Sequence, residues 1–304
     1  MDISKYSDAL VAHLDHKVTL KEPASLYEPI KYILTLGGKR LRPVLTLMSA
    51  DFFGGNYKAA LDASLAVEMF HNFSLVHDDI MDNAPLRRGH QTVHEKWDVN
   101  TGILSGDAML ILAYQLFETY KPKVFMQLAV LFSKTALEVC EGQQYDVDFE
   151  TRTDVTITQY IKMIEYKTAV LIGASLQMGA IIANASPSCQ EKIYAFGKNL
   201  GIAFQLQDDF LDAFGNPLTF GKQVGGDIIA NKKTFLYLTA LQNSTPSASQ
   251  RLSSLFETMP KDPSDKITAV KEIFVSSGAA KATEDEIARY TNTSISLLQD
   301  IKIS

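Results

Sequence analysis

The sequence predicts an all-α protein, and three observations carry that reading. Apolar residues recur with helical period almost throughout, strand signals are weak, and the interruptions are short clusters of Gly, Asn, Pro and Ser. The interruptions fall at Gly37-Gly38, Gly54-Gly55-Asn56, 83–89, 184–188, 215–226, 243–249 and 260–265. Between them lie segments long enough for helices of roughly three to seven turns. No composition shift marks a linker and no short repeat is visible, so residues 1–304 read as a single domain. The Ser/Pro-rich stretch 243–249 reads as a surface loop.

The opening segment, MDISKYSDALVAHLDHK, is amphipathic and mixed in charge, unlike a signal peptide. Gly37-Gly38-Lys39-Arg40-Leu41-Arg42-Pro43 then ends one helical pattern and opens the next. Paired glycines let the backbone turn, and the cations beside them make an anion site at a helix start. A solvated charge cluster is the ordinary alternative for such a run.

Next comes Asp78-Asp79-Ile80-Met81-Asp82, set in the apolar stretch FSLVHDDIMD. At about 100° per residue, positions i and i+4 lie nearly above one another, so Asp78 and Asp82 project from one face. Later in the chain, FQLQDDFLD repeats the arrangement with Asp208, Asp209 and Asp212. Stacked like charges destabilise a helix unless something positive compensates. Two helices that each carry a carboxylate ladder suit divalent cations bound through oxygen. Most acidic pairs are simply solvated, but the flanks here are Phe, Leu, Val and Ile, and the pattern occurs twice.

Basic groups surround both motifs. Arg87 and Arg88 follow the first, where a metal-bridged anion would meet guanidinium forks. Lys167-Thr168 opens an apolar segment, and Lys222 and Lys232-Lys233 follow the second motif across Gly225-Gly226-Asp227. Six acidic ligands with this many cations suit a diphosphate, with metal on one side and Lys and Arg on the other. His71 precedes Asp78 by about two turns on roughly the same helix face. It reads equally as a satisfied core histidine or as a ligand contact. His90 and His94 read as ordinary loop and surface residues.

Composition narrows the class. The net charge is −6, from 29 Lys and Arg against 35 Asp and Glu, which speaks against a nucleic-acid partner. Hydrophobic residues make up 46% and mean hydropathy is near zero, as in a protein with a sizeable core. Cys140 and Cys189, without metal-type spacing, fit buried thiols in a reducing compartment, hence the cytoplasm. The segment 168–185 is nearly uncharged and about as long as a short membrane span. Its Gly, Ala, Ser and Gln content fits a closely packed buried helix better, so no transmembrane segment is expected.

Together these pieces resemble the trans-isoprenyl diphosphate synthases, the polyprenyl synthetase family that includes farnesyl and geranylgeranyl diphosphate synthases. The matching elements are GGKRLRP, HDDIMD followed by LRRG, EGQQYD at 141–146, YKT at 166–168, FQLQDDFLD, and GK…GGD…NKKT. The resemblance implies a bundle of antiparallel helices around a deep central cavity, usually a homodimer. It implies Mg²⁺-dependent head-to-tail condensation of an allylic diphosphate (dimethylallyl, geranyl or farnesyl) with isopentenyl diphosphate. About three Mg²⁺ would serve each active site, a hard cation among oxygen ligands.

By that resemblance Asp78, Asp82 and Asp208 are the main Mg²⁺ ligands, and Asp79, Asp209 and Asp212 close the shell. Arg87, Lys167 and Lys232 hold the allylic diphosphate, with Lys222 nearby. Lys39, Arg42, His71 and Arg88 hold isopentenyl diphosphate. Thr168 and Gln205 line the reacting carbons. Phe73, five residues before Asp78, is by that resemblance the floor that stops chain growth. Phe70, one turn earlier, reads equally as part of that floor or as an ordinary core aromatic, and Tyr114 and Phe117 on the next helix read as further caps. The first motif lacks the insertion typical of bacterial farnesyl enzymes, which points to a C20 product, with C15 as the alternative. In some relatives a basic tail closes over the site; QDIKIS offers only Lys302 for that. A terpene cyclase normally lacks the Gly-Gly-Lys-Arg site, and non-catalytic partner subunits typically lose aspartates that are all present here.

Overall fold

The computed structural model describes residues 3–216 and 224–302, and nearly all of them lie in helices. The chain divides into two compact units. The first takes in Met1–Lys134, Ala174–Tyr194 and Lys302–Ser304, the second Thr135–Gly173 and Ala195–Ile301.

The first unit opens with α1 (Ser4–Lys17), α2 (Ala24–Thr35) and α3 (Leu41–Phe52). A 3₁₀ turn, Tyr57–Ala60, is capped by Asn56, whose side chain accepts from the Lys58 amide. It leads into α4 (Leu61–Met81), which carries the first aspartate motif. After α4 the expected loop contains a short hairpin, β1 (Leu86–Arg87) with β2 (His90–Gln91). Its turn residues Arg88 and Gly89 both have positive φ, 54° and 78°, as a tight two-residue hairpin turn demands. Two-residue strands are too short for a period-2 pattern to register in the sequence. A single turn α5 (Val93–Lys96) and α6 (Val99–Phe117) follow, with Asp98 capping the Thr101 amide.

Close approach within this unit is set by small residues. A Cβ on Gly106 of α6 would lie 2.3 Å from His77 Nε2, so the bare backbone lets α6 meet α4 there. Tyr6, Leu10, Val44, Leu47, Ala50 and Ala60 form one apolar core.

The second unit holds the later part of α7 (Pro122–Thr151), then α8 (Ile157–Ile164), whose Thr156 and Gln159 make a reciprocal capping box. The chain continues through a π-helical turn, Glu165–Ala169, into α9 (Val170–Ile182), which belongs to the first unit from Ala174 onward. The widened turn is closed by the Val170 amide bonding to the Glu165 carbonyl. α10 (Pro187–Phe214) carries the second aspartate motif. Then come α11 (Gly226–Ile229), α12 (Phe235–Asn243), α13 (Pro246–Leu255), α14 (Ser264–Ser276) and α15 (Ala279–Gln299). α12 is the hub of this unit, touching α8, α13, α14 and α15, and its Leu236 packs in a core with Leu206, Val270 and Phe274.

The stretch 243–249 is not the expected loop. Asn243 ends α12 and Pro246 starts α13, with Thr245 accepting from the Ala248 amide. Proline at a first helical position and threonine as cap are helix-start chemistry, which the Ser/Pro composition concealed. The apolar segment 168–185 is a buried helix, as expected, and no described helix is long and apolar enough to cross a membrane.

Candidate active site

In the first unit, α4 brings Asp78, Asp79 and His71 onto one stretch of helix, and Asp82 caps its end with its amide bonded to the Asp78 carbonyl at 2.9 Å. Asp79 is 1% exposed. Arg87, on β1, donates to Asp79 Oδ1 from Nε at 2.9 Å and from Nη2 at 2.5 Å. It also stands 3.8 Å from Asp78 Oδ2. Burial raises the Asp79 carboxyl above its ordinary range, and the Arg87 guanidinium offsets only part of that. Arg87 therefore neutralises part of the first motif's charge from hydrogen-bond distance.

His71 is likewise on α4, where Arg42 Nη1 donates to its Nε2 at 3.4 Å. Burial, then the charges of Arg42, Arg88 and Arg87, hold the imidazole well below its usual pKa. It is therefore neutral, with Nε2 as an acceptor. Arg88 donates to the Gly37 carbonyl, and its guanidinium lies where a Cβ on Gly38 would be, 2.9 Å from Cζ. Gly38 has φ of +121° and no side chain, and both facts are needed for Arg88 to settle on the loop. Lys39 is exposed beside it. Arg40 departs from the expected cluster: it turns inward, donating to the Leu34 carbonyl at 3.0 Å and facing the buried Glu68.

His94 is also a departure. It is buried rather than a surface residue, and neither ring nitrogen makes a hydrogen bond among the described residues. Phe70 and Phe73 lie in an aromatic cluster with ring centroids 5.5 Å apart. Phe132 of α7 is its centre, in edge contact with Phe70, Tyr114 and Phe117 at 5.1, 4.8 and 5.1 Å.

In the second unit a cavity of about 740 Å³ gathers Asp208, Asp209 and Asp212 with Lys167, Thr168, Gln205 and Lys232. A relay of hydrogen bonds crosses it. Thr168 Oγ1 donates to Gln205 Oε1 at 3.2 Å, and Gln205 Nε2 donates to Asp209 Oδ1 at 2.9 Å. Tyr160 Oη donates to the other Asp209 oxygen. Asp209 is 6% exposed, and burial together with the nearby Asp227 charge lifts its carboxyl to about 7. Lys167 Nζ donates to Asp146 Oδ2 at 2.6 Å.

The π-helical turn carries Lys167 and Thr168 on consecutive positions. Gly142 of α7 makes room for it, since a Cβ there would lie 2.2 Å from the Lys167 backbone nitrogen. Such turns are frequent at functional sites. Lys222 lies outside the described residues.

Several residues of this cavity carried no assigned role in the sequence reading. Asp227 lines the cavity and its amide donates to Asp212 Oδ2 at 2.9 Å. Asp146 and Lys233 line it as well, with Lys233 Nζ capping the end of α7 at the Phe149 and Glu150 carbonyls. GGD, EGQQYD and NKKT were visible as motifs; only their partners were not.

Among the described residues, no three His, Cys, Asp or Glu side chains stand close enough to cage a metal alone. Mg²⁺ seldom needs such a cage, since one or two carboxylates plus substrate phosphates and water complete its octahedron. The all-oxygen donors of each motif, with cations for the phosphates nearby, fit that ion.

Residues 23–273 match the polyprenyl synthetase family model. A solved geranylgeranyl pyrophosphate synthase is 55% identical, with a TM-score of 0.96 over 100% of this chain and 94% of its own. The geranylgeranyl diphosphate synthase of Saccharolobus solfataricus is 36% identical over 310 residues, covering 100% of this chain and 93% of that protein. The geranylgeranyl pyrophosphate synthase of Corynebacterium glutamicum, solved with isoprenyl diphosphate and magnesium, is 27% identical. Its TM-score is 0.85, over 100% of this chain and 95% of that one. Paired DDxxD helices, basic loops beside them and this likeness along the whole chain lead to one assignment: the chain belongs to the polyprenyl synthetase family.

Proposed function

We propose that this prenyltransferase condenses allylic diphosphates with isopentenyl diphosphate, head to tail, to give geranylgeranyl diphosphate. The observation that carries the reading is the second unit's cavity, where three carboxylates of one helix face Lys167 and Lys232. The relatives named geranylgeranyl diphosphate synthases support the C20 product.

Asp78, Asp82 and Asp208 would be the main Mg²⁺ ligands, with Asp79, Asp209 and Asp212 completing the set. When bound, about three Mg²⁺ would neutralise the charge that builds on the departing diphosphate. Arg87, Lys167 and Lys232 share that task, with Lys222 placed by the sequence motif alone. Lys39, Arg42, neutral His71 and Arg88 receive the diphosphate of isopentenyl diphosphate. As the allylic C–O bond breaks, the hydroxyl and amide oxygens of Thr168 and Gln205 face positive charge with their negative ends. The isopentenyl double bond attacks the allylic carbon, and the proton then lost from its C2 goes to the leaving diphosphate. The apolar lining residues Phe149, Met163 and Ile164 keep water from the cation.

Phe73, with Phe70 behind it, would set chain length. The enzyme acts as one catalytic domain spanning residues 1–304, in the cytoplasm and as a homodimer. Exposed apolar residues on α6 (Leu104, Ile111) and α7 (Met126, Val130) support the last point.

Incubating the protein with Mg²⁺, labelled isopentenyl diphosphate and each allylic starter in turn tests the reading. A C20 alcohol is expected after dephosphorylation. Accumulation at C15 would keep the mechanism and reassign the product as farnesyl diphosphate. No elongation by folded protein would sink the enzyme and favour a non-catalytic partner subunit.

A further inference from the structure

Glu68 sits on α4 and is 1% exposed, yet it is no member of either aspartate motif. A carboxylate is almost never buried to this degree unless cations compensate it. Its Oε1 stands 4.0 Å from Arg40 Nε. Burial raises its carboxyl above the ordinary range, and Asn72 with the charges of Arg40, Arg88 and Arg42 offsets part of that. One carboxylate thus serves three guanidiniums of the Gly37–Arg42 loop and the β1–β2 turn.

Arg40 explains what this arrangement does. It occupies the left-handed region, with φ of 44°, immediately before α3, a conformation a residue with a Cβ adopts only when its surroundings impose it. Its side chain turns inward, with Nη2 hydrogen-bonded to the Leu34 carbonyl at 3.0 Å and the guanidinium at ion-pair distance, 4.0 Å from Nε, from the Glu68 carboxylate. With Arg40 fixed inward, the residues on either side of that turn diverge from it. Lys39 is exposed, and Arg42 reaches His71. His71 lies one turn beyond Glu68 on the same face of α4, so a single helix face anchors both ends of the basic loop.

We propose that Glu68, acting through Arg40, is the positioning residue of the isopentenyl diphosphate site. It does not touch substrate; its charge holds the left-handed turn that presents Lys39 and Arg42, and it lets three guanidiniums stand together before substrate arrives. The inference rests on the assignment of isopentenyl diphosphate to Lys39, Arg42, His71 and Arg88.

Steady-state kinetics with each substrate varied separately test it, on Glu68→Gln, Glu68→Asp, Arg40→Gln and the Glu68→Gln/Arg40→Gln double variant, with Lys39→Ala as reference. Circular dichroism confirms folding of each. In Glu68→Gln the KM for isopentenyl diphosphate should rise about tenfold, while the allylic KM and kcat stay within about threefold. Glu68→Asp should recover part of the loss. The double variant should be no worse than the worse single one, because both changes remove the same strut. Arg40→Gln reads that strut from the loop side, so the proposal stays testable if Glu68→Gln fails to fold. An unchanged KM in folded Glu68→Gln, beside a raised KM in Lys39→Ala, overturns the role of Glu68 alone. An unchanged KM in Lys39→Ala overturns the site assignment and the proposal with it.

Discussion

At the scale of single residues, the second aspartate of each motif is treated differently from its neighbours. Asp79 is buried against Arg87, and Asp209 is buried between Tyr160 and Gln205. The Asp209 carboxyl has its pKa lifted from 3.8 to about 7, by burial first and then by Asp227. Below pH 3.8 both folded and unfolded chains hold this proton, and stability is unaffected. Between 3.8 and 7 the unfolded chain gives it up while the folded one keeps it, so stability falls as pH rises. Above 7 the full penalty remains, on the order of 4 kcal/mol as an upper bound at about 1.4 kcal/mol per unit. Metal-free Asp209→Asn should therefore be more stable than the parent at pH 8, by roughly 1–4 kcal/mol. The two should be nearly equal at pH 4. Urea denaturation in a chelator at both pH values would show this. Equal gains at the two pH values would mean that the carboxyl does not titrate as its surroundings imply.

At the scale of elements, what the sequence revealed and what it hid separate along contact distance in the chain. Asp78 and Asp82, or Phe70 and Phe73, are neighbours on one helix, and helical period alone puts them together. Glu68 is on that helix too, but nothing local marks it, because its partners Arg40, Arg42 and Arg88 come from other segments. Tyr160 and Phe132 were invisible for the same reason. The π-helical turn at Glu165–Ala169 has no sequence period of its own, and its signatures are Gly142 and Gly201, which must stay bare for Lys167 to approach the one and Ala169 the other. The hairpin that aims Arg87 and Arg88 was hidden by its brevity. Phe73 offers the test proper to this scale. It touches Phe70 and the His77 ring, while Phe70 leans on Phe132. Phe73→Ala removes the first ring of that stack and should lengthen the product by at least one isoprene unit. Chromatography of the dephosphorylated products reads it out, and an unchanged product would move the floor to Phe70 or Phe132. A fold cost of about 3–5 kcal/mol is usual for Phe→Ala in a core, so a melt belongs beside the assay.

At the scale of the whole molecule, net charge and site charge have opposite signs. A chain of net charge −6 is nevertheless built to receive anions, because Arg42, Arg87 and Arg88 lie together in one unit and Lys167, Lys232 and Lys233 in the other. Local fields, focused by low-dielectric walls, decide binding where net charge would mislead. Apolar surface poses the complementary question. Leu104 and Ile111 on α6 are 60% and 58% exposed, and Met126 and Val130 on α7 are 66% and 67% exposed. Each pair lies at helical spacing, i and i+7 or i and i+4, so each helix sets two large apolar side chains on one face, a short stripe that the exposed Asp107 interrupts on α6. Single exposed apolar residues need no explanation, whereas stripes of large ones on long helices are what a partner copy covers. Val130→Glu with Leu104→Glu should therefore convert a particle of twice the chain's mass into one of a single chain by light scattering. Charges forced into a buried apolar interface cost several kcal/mol, enough to shift a micromolar equilibrium fully. A parent protein already at the mass of one chain, or a double variant that stays at twice that mass, would refute the stripe as the dimer contact. If dissociation also lowers kcat without unfolding, assembly supports the geometry of α4, which meets α6 where the bare backbone of Gly106 faces His77.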